Sequence, residues 1–495
     1  MLSIAGQENL TSTFRFNFSY WNNIRENDMD IPYNHRTSNY IHMKKIAYFF
    51  ASLLLLACND KFLDIKSESN LVIPNTVEDL QAMMNHHIMF NGVCTELGTI
   101  GSDEFTVSDG GLKSLSVPWQ RNGYIWADDV YEGQPIADWN NAYQRILYCN
   151  IALERLDKIN IGKQDSELVN RVRGNALFYR AYSHYLLQQA FGKPYSKDSA
   201  PQDLGISLKL ESDVTLRSKR STVEETYKAI LADLHGALEL LPLKSDNRYT
   251  ASKSAVFALF AKIYLEMGDY QGALQSAEKC LDIHGDLLDF NTISPELLIP
   301  FPRKPLENPE IIYYASMMPS AVLTTAYSIS EELLELYDKE NDLRKDIYFM
   351  TESGGRTIFR GSYLGLGNGV YFVGLATDEI YLIQAECLAR LGRDSDARAV
   401  LSDFLRNRIK SEVSIRLPEE GELLSFILGE RRRELIFRGT RWTDLRRLNQ
   451  EQRHNKVLKR EVEGTVYTLE PNSKKYTWPI PDAAVQFSDI VQNER

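Results

Sequence analysis

The sequence predicts an all-α protein, an interrupted α-solenoid of helix pairs with loop-rich insertions and a few short strands. Long segments carry apolar residues at steps of three and four, which is the spacing of one helix face. Two of these segments repeat one register of small residues, and stretches rich in proline and glycine separate the helical parts. Hairpins stacked in one array, with long insertions between them, account for all three observations.

A helical hairpin repeats in residues 251–281 and 379–407. In each segment an alanine precedes a glycine by seven residues and a second alanine follows that glycine by five: Ala261, Gly268 and Ala273, then Ala385, Gly392 and Ala397. Alanine at a crossing lets two helices approach closely and glycine turns the corner, so each segment predicts a tetratricopeptide-type hairpin. Matching residues of the two copies are 124 positions apart, so an insertion must separate them.

Two further helix pairs extend the predicted solenoid. Residues 138–159 have one largely apolar face, and residues 166–191 supply their partner. Residues 221–242 form a helix in the other pair. Its N-terminus is capped by Ser221 or Thr222, and Glu224 or Glu225 closes a capping box.

Two stretches between the helices are predicted to be loops. They are residues 192–220 and about 287–371, and the second includes a few short strands and one helix at 330–337. Long loops on a helical scaffold are usually where ligands bind.

Residues 43–57 have the composition of a bacterial export signal. Lys44 and Lys45 precede an apolar run that ends at Ala57-Cys58, and polar residues follow at once. The run is shorter than the about 20 apolar residues of a membrane-spanning helix. The alternative, a buried core helix of 12 residues, leaves the abrupt polar stop and the cysteine unexplained. We expect translation to start at Met43, residues 1–42 to be a mis-called upstream extension or a long n-region, and Cys58 to be lipidated.

Charge and cysteine content exclude some classes of partner. Residues 58–495 carry a formal net charge of −12 without basic clusters, so no nucleic-acid partner is expected. The sequence contains no C-x-x-C motif, which would indicate a metal or redox site, and no cofactor is expected. We expect four cysteines to be buried as small apolar residues rather than to form disulfides: Cys94, Cys149, Cys280 and Cys387.

Several blocks of the sequence together resemble one family. They are the export signal running into CNDKFLDIKSESNL, then DWNNAYQRILYCNIALERL, NALFYRAYSHYLLQQAFGKPY, STVEETYKAILADLHGALELLP, the two hairpins, ERRRELIFRGTRWTDLRRL and the closing WPIPDAAVQFSDIVQN. Over essentially all of residues 58–495 the chain resembles the SusD/RagB outer-membrane lipoproteins. The ERRREL block and the PIP block are the specific parts of this resemblance.

The resemblance implies a fold and a role. It implies one domain over residues 58–495, with an N-terminal part over about 58–240, a C-terminal part over about 250–495, and about four tetratricopeptide-like helix pairs. It implies a lipid-anchored protein on the exterior of the outer membrane. Such a protein binds a glycan without covalent chemistry and delivers it to a TonB-dependent barrel transporter of the SusC type. Peptide binding of the RagB kind is the alternative within the family.

A secreted hydrolase is the alternative from another class. The motifs H-E-x-x-H, G-x-S-x-G and G-x-x-x-x-G-K-[ST] are absent from the sequence, and no pair of carboxylates stands out for glycoside hydrolysis. The sequence therefore favours a protein that is not an enzyme.

The ERRREL block, residues 430–448, is predicted to close the solenoid. Glu434 and Arg438 stand in the favourable i, i+4 order for an ion pair, and Gly439 ends the helix. An acidic ligand is an alternative partner for these arginines, but Glu430 and Asp444 lie in the same strip and neutralise them.

A sugar site is predicted in the stretch 116–139. Sugar recognition needs an exposed flat aromatic ring, which stacks on the C–H face of a pyranose, and planar polar groups for the hydroxyls. This stretch has no helical period and holds three of the six tryptophans, of which Trp139 fits a helix and is expected in the core. The predicted ligand-binding residues are Trp119, Arg121, Asn122, Tyr124 and Trp126, together with Asp103 at what resembles the family's acidic loop position.

Two points about this site stay open. Trp126 and Tyr131 are alternatively expected to fill the concave wall of the solenoid. Tyr363 and Tyr371, in and beside a glycine-rich loop, are further candidates for ligand binding.

Overall fold

Helices are the main regular secondary structure of the protein. The computed structural model describes residues 74–93, 95–159, 166–317, 320–324, 326–366, 369–419 and 421–495. Seventeen α-helices lie in these residues, which confirms the predicted all-α class. In chain order they are α1 (Val77–Met84), α2 (His87–Asn91), α3 (Glu96–Gly101), α4 (Asp109–Ser114), α5 (Pro118–Tyr124), α6 (Ala137–Leu156), α7 (Ser166–Phe191), α8 (Val223–Leu240), α9 (Lys253–Glu266), α10 (Tyr270–Ile283), α11 (Glu331–Leu334), α12 (Leu343–Tyr348), α13 (Thr377–Arg390), α14 (Asp394–Leu405), α15 (Leu423–Glu434), α16 (Arg441–Leu448) and α17 (Asp482–Gln486).

The long helices pack in sequence as an interrupted solenoid. Helix α6 packs on α7, α7 on α8, α9 on α10 and α13 on α14. Helix α10 also packs directly on α13, so the two predicted hairpins are neighbours in space although an insertion separates them in sequence. None of the helices in the described residues is long and apolar enough to cross a bilayer.

Both hairpins turn by the same backbone motif. Gly268 and Gly392 each have φ of +72°, the left-handed conformation that favours glycine. The N–H of each glycine bonds to the third carbonyl before it, and the N–H of the next residue bonds to the fifth carbonyl before it, which is the Schellman pattern. The repeated register of the sequence therefore predicts the turn correctly. Helix α8 begins with the predicted capping box, made by Thr222 and Glu225.

Ten short strands in the described residues form five two-stranded sheets. One pair is parallel, β1 (Gly92–Val93) with β4 (Ser316–Met317), and four are antiparallel: β2 (Phe105–Val107) with β5 (Tyr327–Ile329), β3 (Ile311–Tyr313) with β8 (Leu375–Ala376), β6 (Phe349–Thr351) with β7 (Thr357–Phe359), and β9 (Leu458–Val462) with β10 (Thr465–Leu469). In the β2–β5 pair, Phe105 lies opposite Ile329. Strands β4 and β5 thus join the long insertion to residues 92–107.

The core has two parts. The larger part runs along the helical pairs, and the smaller part holds four of the tryptophans, Trp126, Trp139, Trp442 and Trp478. Trp139 is buried, as expected. Cys149, Cys280 and Cys387 are also buried, as expected for small apolar residues.

Two local predictions are wrong. The helix expected at 330–337 is the single turn α11. The stretch expected to lack helix contains α5, whose seven residues are too few to show a helical period. The extension 1–42, the export signal 43–57, Cys58 and Cys94 lie outside the described residues.

Replacing Gly268 by alanine should weaken the fold through the backbone alone. A Cβ at Gly268 would meet no atom within 4 Å, but an L-residue at this φ costs about 1 kcal/mol. We expect Gly268→Ala to lower the free energy of unfolding by that amount in chemical denaturation. Gly110→Ala is the matched control, because Gly110 also has open space but lies in α4 without a positive φ. Its stability should stay equal or rise, and equal losses in both variants would contradict the assignment.

Candidate functional site

Helix α5 positions the predicted sugar-binding residues. Pro118 occupies the first turn, where its missing N–H costs nothing. The helix buries Gln120, Gly123 and Tyr124 against the core and leaves Trp119, Arg121 and Asn122 half-buried. One short helix therefore brings an aromatic ring and two planar polar groups to the surface together.

Trp119 is the one tryptophan among the five in the described residues that is not buried. It packs against both parts of the core, so its ring has support on the protein side. A half-buried ring that is held in this way can present an aromatic surface to a ligand without losing much side-chain freedom on binding.

Arg121 and Asn122 are held by the turn that follows. Asn122 Nδ2 donates to Glu132 Oε1 at 2.9 Å, and an Arg121 guanidinium nitrogen lies 3.9 Å from the same oxygen. Arg121 Nη1 also donates to the carbonyl of Leu115 at 2.5 Å. Two planar donors and one carboxylate acceptor thus meet in the segment that also carries Trp119, which suits hydrogen bonding to a polar ligand.

Tyr124 and Trp126 do not present their rings to solvent. The Tyr124 hydroxyl accepts from the N–H of Val107 at 2.9 Å, and Trp126 Nε1 donates to the carbonyl of Gly101 at 3.0 Å. The Arg460 guanidinium covers both rings, at 3.8 Å from the centroid of Tyr124 and 4.5 Å from that of Trp126. The prediction that these two rings are exposed for stacking is wrong, because they pack inside the fold.

The other aromatic candidates are also interior. Tyr131, Tyr363 and Tyr371 are buried, and the Tyr371 hydroxyl donates to the carbonyl of Leu323 at 2.8 Å. Trp126 and Tyr131 therefore fill the protein interior, which was the alternative expected for them.

Asp103 belongs to an ion-pair cluster. Its carboxylate lies 2.6 Å from Arg441, 2.9 Å from Arg432 and 2.8 Å from Lys456. Burial alone would raise the pKa of Asp103, but these three cations hold the pKa well below its usual range. The geometry ties Asp103 to α15 and α16 and favours a structural role over contact with a ligand.

The ERRREL block packs inside the structure, as predicted, but with different ion pairs. Helix α15 ends at Glu434, so Arg438 is not one helical turn along the same face. Glu434 instead pairs with Arg344 at 3.0 Å and Arg408 at 2.8 Å, and Arg438 pairs with Asp378 at 2.8 Å. The predicted Glu434–Arg438 pair is wrong.

Three acids in this region have the spacing of metal ligands. The carboxylates of Glu310, Asp378 and Glu434 lie within 4.8 Å of one another. Arg408 pairs with Glu310 at 2.7 Å as well as with Glu434, so arginine nitrogens already hold all three acids. The donor set fits internal charge pairing rather than a metal ion.

Surface cavities lie elsewhere on the protein. One of about 450 Å³ is mostly apolar and lies between α6, residues 207–218 and α17. Another of about 570 Å³ is lined mainly by polar side chains from residues 193–204, 446–450, 472–477 and 491–494. Neither cavity can be predicted from the sequence, because the walls come from segments that are far apart in the chain and carry no common motif.

The protein is a helical solenoid that carries a supported aromatic ring and planar polar groups at its surface. These features suit a scaffold that binds a ligand. Two family models match the chain: one described as "Starch-binding associating with outer membrane" over residues 61–265, and one described as "SusD family" over residues 377–494. The chain belongs to the SusD family.

Relatives of known description agree with this membership. A SusD-like protein of Formosa agariphila is 34% identical over 158 residues, which cover 32% of this chain and 28% of that protein. The match thus spans less than a third of the relative's length. A SusD superfamily protein from Bacteroides thetaiotaomicron has a TM-score of 0.70 at 21% identity, over 85% of this chain and 100% of its own. A laminarin-binding SusD-like protein has a TM-score of 0.59 at 17% identity, over 84% and 97%. Both solved structures share the fold.

Proposed function

We propose that this protein binds oligosaccharides or polysaccharides at the cell surface, without catalysis, and delivers them to a TonB-dependent transporter of the SusC type. The observation that carries the proposal is the half-buried Trp119 on the same short helix as Arg121 and Asn122. Membership of a family whose model is described as starch-binding supports a glycan as the ligand, as does a laminarin-binding protein of the same fold.

The proposed binding mode follows from the chemistry of a pyranose. The indole of Trp119 stacks on the C–H face of the sugar, and Arg121 and Asn122 donate to its hydroxyls while Glu132 accepts. Because Trp119 packs against both parts of the core and Asn122 is bound to Glu132, the groups are placed before the ligand arrives.

Three acids that precede or follow α5 in the sequence support binding without hydrolysis. A glycosidase needs a general acid whose pKa is raised. Asp128 instead pairs with Lys475 at 2.8 Å, and this partner lowers the pKa of Asp128. The pKa of Asp103 is lowered as well. Glu104, whose pKa burial raises to about 7, is buried and accepts a hydrogen bond from the N–H of Phe437 at 2.9 Å.

Trp119→Ala should weaken glycan binding by more than about 1 kcal/mol, because the aromatic contact is lost. Affinity electrophoresis in gels that contain starch or laminarin measures the change as reduced retardation. Phe487→Ala is the matched control, since Phe487 is an exposed aromatic residue that lines the apolar cavity instead. We expect it to bind like the wild type.

Two results would contradict the proposed function. Retardation of wild type and Trp119→Ala to the same extent would remove Trp119 from the site. Calorimetric heat from peptides, with none from any glycan of a broad panel, would replace the glycan by a peptide.

The proposed location is the outer membrane, with the lipid on Cys58 as the anchor. One acyl chain holds a protein only weakly, so stable anchoring requires several chains on the mature N-terminus. Cys58→Ser should remove the lipid and move the protein from the membrane fraction to the soluble fraction. Mass spectrometry of the native N-terminus checks this. An unmodified peptide from residues 1–42 on the mature protein would refute both the start at Met43 and the anchor.

A further inference from the structure

The cavity of about 570 Å³ combines polar side chains with apolar surface, which suits a ligand site. It lies between the loop after α7, the end of α16 and the C-terminal tail, and none of the residues predicted from the sequence lines it. We propose that this cavity is a second saccharide site of the protein, which takes a neutral sugar unit. The proposal rests on the glycan-binding function proposed above.

Hydrogen bonds between segments hold the cavity walls in place. Gln450 Nε2 donates to the carbonyl of Tyr195 at 3.1 Å and joins α16 to the loop after α7. Asn493 Nδ2 donates to the carbonyl of Phe191 at 2.9 Å and joins the tail to the end of α7. Because the walls are fixed before binding, a ligand does not have to order them.

Four charged side chains of the lining form two ion pairs. Lys193 pairs with Asp203 at 2.7 Å, and Lys474 pairs with Glu494 at 2.5 Å. Arg446 has no acidic partner among the described residues, is 3% exposed, and donates to the backbone carbonyls of Gln189 and Gly192. Among the described residues that line the cavity, every ammonium and carboxylate is paired, and the one guanidinium is buried with both terminal nitrogens bonded to carbonyls. An ionic ligand would therefore find no exposed counter-charge of its own. The lining therefore favours a neutral ligand.

The neutral polar groups of the lining keep free hydrogen-bonding capacity. Within the described part of the chain, the hydroxyls of Ser196 and Thr477 and the side-chain oxygens of Asn472 and Gln450 have no hydrogen-bonding partner. A sugar hydroxyl both donates and accepts, so it can satisfy hydroxyls and amide oxygens alike.

Apolar surface and size also suit a sugar. Pro194 and Leu204 are half-buried in the same wall and offer contact to the C–H face of a ring. The volume lies within the about 300–1,000 Å³ typical of small-molecule sites. Polar groups with free capacity, paired charges and apolar patches together point to a saccharide rather than to an ion or an apolar molecule.

The test separates this cavity from the Trp119 site. We would titrate laminarihexaose and maltohexaose into the wild type, Trp119→Ala, and Trp119→Ala combined with Ser196→Leu and Thr477→Val. The last two changes remove both free hydroxyls and fill part of the cavity. Ser353→Leu in the Trp119→Ala background is the matched control, because Ser353 is exposed in the turn between β6 and β7. Thermal unfolding of each variant verifies that it is folded.

The expected result is two sites in the wild type and one in Trp119→Ala. The cavity changes should then weaken the remaining binding at least tenfold, while Ser353→Leu leaves it unchanged. The cavity is not a saccharide site if Trp119→Ala abolishes all binding, or if the cavity changes do not alter the affinity that remains in Trp119→Ala. The proposed function still stands in both cases. If the wild type binds neither these hexasaccharides nor any other glycan of a broad panel, both proposals fall together.

Discussion

The structure depends on a buried network of ion pairs centred on the ERRREL block. Arg344 contacts Asp342, Glu430 and Glu434, and Arg408 contacts Glu434 and Glu310, all at 2.7–3.0 Å. Both guanidinium groups are 0% exposed. Charges removed from water in this way are tolerated only when each one is paired and hydrogen-bonded, so every member depends on its partners.

This network connects parts of the chain that lie far apart in the sequence. Arg344 lies on α12 in the long insertion, Arg408 follows α14, and Glu434 ends α15. A second branch joins α9 to α13 and α15, because Lys262 and Arg431 both contact Glu379. Burial alone would raise the pKa of Glu379, but these two cations lower it to about 2. The insertion, the hairpins and the C-terminal block are thus held in one arrangement by charge.

The same block places the candidate site. Asp103 bonds to Arg432 and Arg441, and Glu104 accepts the N–H of Phe437, so the segment that leads to α5 is attached to residues 432–441. On the neighbouring helix α3, a Cβ at Gly101 would come within 2.7 Å of the Trp442 ring. The ring of Trp119 therefore owes its position to contacts made several hundred residues further along the chain.

The sequence alone predicts features that local chemistry decides. The turns at Gly268 and Gly392 and the cap at Thr222 depend only on neighbouring residues, and all three were predicted. The sequence does not decide the burial of Trp126 and does not predict that of Tyr124, because the group that covers both rings, Arg460, is more than 300 residues away. The predicted ion pair of Glu434 is wrong for the same reason. The i, i+4 rule assumes that the helix continues, but the helix ends at Glu434 and arginines from other segments pair with it.

The most direct test of the buried network compares two arginines that lie two residues apart. Arg408→Met should lower the free energy of unfolding by about 3–5 kcal/mol, because it leaves Glu310 and Glu434 buried beside a lost cation. Arg406→Met removes a surface pair with Asp403, whose side chains are 70% and 58% exposed, and should cost at most about 1 kcal/mol. Chemical denaturation of both variants measures the difference. Equal, small losses would contradict the claim that the buried network holds the fold together.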